Sequence, residues 1–287
     1  MDLNVGLNVD PNAELSDSVL RHLRAVVDLP DLTGTPYQLE EEIGRGGLGV
    51  VYAARDTQLD RRVAIKVMDA AWAGEARLIA RLEHPGIVPV YEAGALPDGR
   101  AFYAMKLVAG TRADRYVAGN PSLGERSRVV ERVGEALAYA HSCGALHRDL
   151  KPQNVMVGRF GEVYVMDWGL EGVAGTPAFR APETPLDQRS DVYALGALVR
   201  FVLPGDAPPA LGAIAAKAMR ERPGDRYPDV TSVLRDIERF QDGLAVEAFA
   251  ESPWQRVRRV ARRNEVLLWL LATYAGVKFL LFFLRGS

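Results

Sequence analysis

Asp149, Lys151 and Asn154 place a carboxylate, an ammonium group and an amide within six positions of the chain. They lie in His147-Arg148-Asp149-Leu150-Lys151-Pro152-Gln153-Asn154, which fits the pattern H-R-D-L-x-x-x-N at every specified position. The chemistry that suits this set is transfer of a phosphoryl group to a hydroxyl. Asp149 would accept the hydroxyl proton, Lys151 would steady the moving phosphoryl oxygens, and Asn154 would hold Mg²⁺. His147 also reads as a packed core imidazole. Thirteen residues beyond Asn154 comes Asp167-Trp168-Gly169. It resembles D-F-G with Trp for Phe, in which the carboxylate bridges Mg²⁺ to the β- and γ-phosphates while the aromatic ring docks under the helix carrying Glu75.

A nucleotide needs a cradle, and the sequence offers one upstream. Ile43-Gly44-Arg45-Gly46-Gly47-Leu48-Gly49-Val50-Val51 contains G-x-G-x-x-G-x-V. A dinucleotide fingerprint would continue into a helix. Here Val50-Val51-Tyr52-Ala53 continues as strand, so backbone bare of side chains can fold over phosphates as a flap. Val63-Ala64-Ile65-Lys66 follows on the next strand, where a lysine facing the flap can neutralise α- and β-phosphate oxygens. Glu75, on a helix expected over 75–83, is the candidate to hold that lysine; its other reading is a solvated helix charge.

The elements that must position these groups change character along the chain. Segments 37–43, 50–55, 62–68, 88–93 and 102–107 are rich in strand formers and separated by turn residues such as Pro97-Asp98-Gly99. From Ser122 the period becomes helical. Ser122 and Glu125 form a capping box, and Val129, Val130, Val133, Leu137 and Ala140 recur at helix spacing. Two short strands, 155–157 and 163–166, precede helical patterns at 191–202, 211–220 and 230–240. The fold class is therefore α+β, a small β-rich lobe followed by a larger helical lobe. Its domains are expected as an extension over 1–36 with one short apolar-periodic stretch, then lobes at about 37–108 and 109–243. A basic segment over 244–265 and an apolar helix over 266–284 follow.

Residues 37–240 resemble the bacterial branch of the eukaryotic-like (Hanks-type) serine/threonine protein kinases. The resemblance is carried by the motifs above, by Ala181-Pro182-Glu183 and by Asp191-Val192-Tyr193-Ala194-Leu195-Gly196, where Asp191 would cap a helix or brace the catalytic loop. It implies a two-lobed protein-kinase fold and a reaction of ATP with protein hydroxyls, using Mg²⁺ or alternatively Mn²⁺. It also implies that Met105 is the gatekeeper and that Lys106, Leu107 and Val108 form the hinge that reads adenine. Val51, Ala64 and Met156 would clasp the ring, and Ile43, Gly44, Gly46, Gly47 and Gly49 would cover the nucleotide. Ile79, Val90, His147 and Trp168 would stack as a spine, and Arg226 would pair with Glu183. Three departures stand out. Only nine positions separate Lys66 from Glu75, five residues separate Gly169 from Gly175, and about ten join the 191 and 211 helices. Two other readings share the motifs. A pseudokinase scaffold is opposed by the presence of Glu75, Asp149, Asn154 and Asp167. A small-molecule phosphotransferase is opposed by Lys151 and by the Gly175-Thr176-Pro177 to Ala-Pro-Glu stretch.

Net charge is −2 over 287 residues, which gives no indication of a nucleic-acid partner. The total conceals an asymmetry. From Glu251 onward seven basic residues face two acidic ones, so the tail carries +5 and the remainder −7. Residues 266–284 hold one charge, Lys278. That length is near the roughly 20 residues a bilayer needs, and the arginines before it favour a cytoplasmic side. The expectation is a single-pass, C-terminal transmembrane helix holding a cytoplasmic kinase domain at the cell membrane; a partner-packed or interfacial helix is the alternative. No signal peptide is expected at the N-terminus. The single cysteine, Cys143, excludes an internal disulfide and reads as a small buried side chain.

Overall fold

The computed structural model describes residues 29–46, 49–72, 74, 78–168 and 177–285. Expectations that fall elsewhere, including the stretch Leu20 to Val27, Gly47, Glu75 with the first residues of its helix, Gly169 and Thr176, lie outside the described residues; of the helix expected over 75–83, residues 78 and 79 are helical and the chain already turns at 80 and 81. Five strands form one antiparallel sheet in the order β1-β2-β3-β5-β4: β1 Tyr37–Gly46, β2 Gly49–Asp56, β3 Arg61–Met68, β4 Val90–Ala95 and β5 Ala101–Lys106. Period-two alternation gives this sheet two working faces. Val63, Ile65, Val67, Tyr52, Ala54, Phe102 and Ala104 pack together on the outer side. Ala64, Met68, Ala101, Tyr103 and Met105 point into the larger core shared with the helical lobe. Lys66 has the parity of Ala64 and Met68, so the strand delivers its ammonium to the inter-lobe side. The β1–β2 hairpin turns through Gly49 at φ +150, where an added Cβ would lie 2.2 Å from the Val67 carbonyl oxygen. Only glycine fits there.

The helical lobe is built on α2, Leu123–Ser142, after the short β6, Gly110–Arg112, and α1, Ala113–Ala118. The Ser122–Glu125 capping box forms as the sequence implied, each side chain satisfying the other's backbone N–H. Val129, Val130, Val133, Ala136, Leu137 and Ala140 of α2 are buried against α3, Gln188–Val202, α4, Pro209–Ala218, and α5, Val230–Gln241. Strands β6, β7 (Val155–Gly158) and β8 (Val163–Val165) make a second small sheet, the platform under the catalytic loop. Residues 203–208 join α3 to α4, so the short connection read from the sequence is present.

Beyond α5 the chain continues as α6, Pro253–Arg263, and α7, Glu265–Arg285, which is 21 residues long. No side-chain placement is described for 262, 265, 267, 268 and 279–285. Among the described residues no helix is long and apolar enough to cross a membrane. The spanning helix expected over 266–284 therefore gains no support from the structure. Cys143 corrects another expectation. It is exposed rather than buried, because it follows the last residue of α2 at the C-cap.

Candidate active site

The catalytic loop is anchored from beneath. The Asp191 carboxylate, buried in the first turn of α3, accepts from the backbone N–H of His147 (2.8 Å) and of Arg148 (3.0 Å). His141 Nε2 lies 2.8 Å from the same carboxylate. Of the two roles expected for Asp191, bracing is the one observed; the N-cap of α3 is Asp187. Burial would push the Asp191 carboxyl up, but the His141 hydrogen bond and the nearby imidazoles hold it below 3.8. Fixing two successive amides forces the next turn, and Arg148 adopts φ +67. Asp167 is also left-handed, at φ +57. Such strain at two non-glycine residues is retained only where the surroundings dictate it.

On this base the polar groups converge. Lys151 Nζ donates to Asp149 Oδ2 at 2.6 Å. The Asn154 amide nitrogen donates to the Asp149 carbonyl (2.9 Å) and to Oδ2 (3.2 Å), which leaves the amide oxygen as the available ligand. Lys66 Nζ meets Asp167 Oδ1 at 2.9 Å, with the lysine side chain only 6% exposed. Thus Asp149, Lys151 and Asn154 form one bonded group, and Lys66 with Asp167 a second. Glu75, expected to hold Lys66, lies outside the described residues.

Beneath these groups sits an aromatic stack. The rings of His147 and Trp168 are 4.8 Å apart and both residues are fully buried. Trp168 Nε1 donates its N–H to the Val165 carbonyl at 3.1 Å. Ile79 shares this core and Val90 packs against it. His147 Nε2 donates to the Met166 carbonyl (3.0 Å) while Nδ1 accepts from Asp149 N–H (3.3 Å), so the neutral ring meets both needs. Burial holds this imidazole below its ordinary 6.5, against the pull of the Asp191, Asp149 and Asp167 carboxylates. A depressed histidine contributes stability above about pH 6.5 that is lost as the pH falls, because the unfolded chain takes up the proton more readily. We expect the melting temperature to fall between about pH 7.5 and about pH 5.5. His147→Gln should show a shallower fall, and an equal slope in the two proteins would remove His147 as the cause.

The residues expected to face the nucleotide line the inter-lobe side of the sheet. Ala64 pairs with Met105 across β3 and β5, and Val51 with Lys66 across β2 and β3. Met156 on β7 packs against the same core from below, as do Leu107 and Val108 just past the end of β5. Gly44 and Gly46 stand at the hairpin, and Ile43 beside them is 47% exposed. Sequence reasoning missed His141 and Tyr164. His141 supports Asp191, and its only signal was a place in the last turn of α2. The side chains of Lys106 and Tyr164 are hydrogen-bonded, tying the end of β5 to β8. Lys106 was expected in the hinge, but nothing in the sequence marked Tyr164 as its partner.

Residues 37–225 match the family described as protein kinase domain. The chain belongs to that family of ATP-dependent protein kinases, and within it to the bacterial Hanks-type serine/threonine branch. It is 32% identical over 276 residues to serine/threonine-protein kinase PknL of Mycobacterium tuberculosis, covering 76% of this chain and 69% of PknL. It is 30% identical over 272 residues to the probable serine/threonine-protein kinase PknB of Bifidobacterium longum, covering 82% of this chain and 39% of that one. The crystal structure of the Mycobacterium tuberculosis PknI kinase domain superposes with a TM-score of 0.58 at 27% identity, over 71% of this chain and 94% of that one.

Proposed function

We propose that the chain transfers the γ-phosphoryl group of ATP to serine or threonine hydroxyls of proteins, using Mg²⁺, from a site built on Lys66, Asp149, Lys151, Asn154 and Asp167. One observation carries the reading: Lys151 and Asn154 both donate to the carboxylate of Asp149, so base, phosphate-binding cation and metal ligand are already assembled. Asp149 Oδ2 accepts the proton of the incoming hydroxyl, oriented by those two donors. Lys151 follows the oxygens of the transferring group, and Lys66 binds oxygens nearer the leaving end. Asn154 and Asp167 are the metal ligands. Two oxygen donors fit Mg²⁺, which keeps water and phosphate ligands and seldom sits in an all-protein cage. No group of three His, Cys, Asp or Glu residues that could hold a metal occurs among the described residues. When bound, the ion neutralises charge on the phosphate oxygens. The adenine pocket is assigned to Ile43, Val51, Ala64, Met105, Lys106, Leu107, Val108 and Met156 beneath the glycine flap. Serine/threonine preference is drawn from the names of the relatives.

The test is the purified chain with labelled ATP, Mg²⁺ and generic protein acceptors, followed by identification of the labelled amino acid. Transfer to serine or threonine is expected. Lys66→Met and Asp167→Asn should each reduce turnover at least about 10²-fold, since each removes a charge placed where phosphate charge develops. No transfer by the wild type would leave a binding scaffold, and label on tyrosine alone would overturn the specificity.

We further read the tail as a tether, from sequence alone: residues 266–284 in the bilayer and the catalytic lobes on the cytoplasmic side. Retention in the membrane pellet through a carbonate wash is the expected outcome.

A further inference from the structure

The segment before α7 is more than a basic linker. No acidic residue occurs from Ser252 to Asn264, and residues 253–263 form α6. At 3.6 residues per turn, Trp254, Val257, Val260 and Ala261 share one side of that helix. Trp254 is 82% exposed, Val257 56% and Val260 47%, an unusual display of large apolar groups for one short helix. Arg256 and Arg258 flank this stripe, one on either border, and Arg259 lies roughly opposite it. Opposite is also where the kinase lobe is. Arg259 Nε donates to Glu251 at 2.7 Å and its Nη1 to the Gly243 carbonyl at 3.3 Å. The chain that leads to α6 is itself held down. Asp236 accepts from the N–H of Glu247 (2.8 Å) and of Ala248 (3.0 Å), and Val246 is buried in the core. The helix is thus clamped by its far side with its aromatic and valine stripe turned outward. Arg256, Arg258 and Arg263 are exposed, and none has a side-chain partner among the described residues.

From this geometry we infer that α6 is an interfacial helix that docks the kinase on an anionic lipid surface. Trp254 and the valines sink to the boundary between headgroups and acyl chains. Arg256 and Arg258, at the edges of the stripe, reach lipid phosphates on either side. The exposed apolar side chains of Val266, Trp269, Leu270 and Leu271 on α7 extend the same contact. An aromatic at the interface with basic borders is what a lipid surface selects, and an all-basic flank favours anionic over neutral headgroups. The inference deepens the tether reading of the tail, but it does not require α7 to span.

The experiment uses the full chain with Cys143 replaced by serine and a single cysteine at Val257→Cys carrying an environment-sensitive fluorophore. It is mixed with vesicles of phosphatidylcholine alone or with added phosphatidylglycerol. A blue shift and brightening with the anionic vesicles, weakened at least about ten-fold in half-saturation by Arg256→Glu with Arg258→Glu, is expected. An equal response to neutral vesicles, no response to either, or no effect of charge reversal overturns the inference. Retained kinase activity in the variants shows that the lobes still fold. The carbonate wash separates the two readings. Release by carbonate with the anionic response intact removes the span and keeps the docking helix. Resistance to carbonate with the label still aqueous keeps the span and removes the docking helix.

Discussion

Asp149→Asn is expected to lower turnover by roughly 10²–10⁴-fold while ATP affinity stays close to wild type. The reason is local. Asp149 accepts from Lys151 and from Asn154, so the isosteric amide keeps the volume of the loop but cannot take the hydroxyl proton. It also leaves the Lys151 ammonium facing a group without charge. Nucleotide contacts assigned to Lys66 and to the end of β5 lie on the other lobe and are untouched. Steady-state kinetics with a binding isotherm for ATP would separate the two quantities. Equal turnover in variant and wild type would mean that another group serves as base.

Arg226→Ala should be the most destabilising single change in the helical lobe. The Arg226 side chain is 0% exposed, and all five of its N–H groups have acceptors. Two are the oxygens of Glu183, both at 2.7 Å, and three are the carbonyls of Arg189 (2.8 Å), Arg220 (2.7 Å) and Glu221 (3.0 Å). Ser190 Oγ completes the Glu183 side at 2.9 Å. Burial would raise the Glu183 carboxyl, but the Arg226 and Ser190 hydrogen bonds hold it below its ordinary range. Removing the guanidinium strands that carboxylate and three carbonyls, a loss of about 3–5 kcal/mol. For a domain of this size the melting temperature should fall on the order of 10 °C. Arg226→Lys should recover little of it, because one ammonium cannot reproduce a planar fork of donors. A fall of less than about 3 °C would show that the lobe closes over the gap.

The parts of the site that were legible are those whose chemistry fixes residue type and spacing together. The interval from His147 to Asn154 can be read because a carboxylate, an amine and an amide must all face one reacting centre. The Ser122–Glu125 cap can be read because its bonds are local. Segments without a period or a local partner escaped. Strand β6 has three residues and owes its existence to pairing with Met156–Gly158, far along the chain. Helix α1 is too short for a hydrophobic repeat. Helix α3 begins three residues before the expected start because Asp187, not Asp191, caps it. Helix α6 read only as a run of charge, since the spacing of Trp254, Val257 and Val260 matters only once the arginines are placed around a helix. Cys143 was misjudged from residue type alone, where position at a helix end decides exposure.

Trp168 also makes the interior of the site visible to light. The chain has four tryptophans; Trp254 and Trp269 are exposed, whereas Trp168 is sealed from water in a dry apolar setting. Exposed indoles emit at longer wavelength than buried ones, so a blue component of the emission belongs to a residue such as Trp168. Its neighbour is an imidazole 4.8 Å away that stays neutral because burial disfavours its charge. A neutral imidazole quenches indole far less than a protonated one. The part of the blue emission that Trp168→Phe removes therefore marks an intact stack under the catalytic loop, and its loss on acidification would register entry of a proton before the fold as a whole gives way.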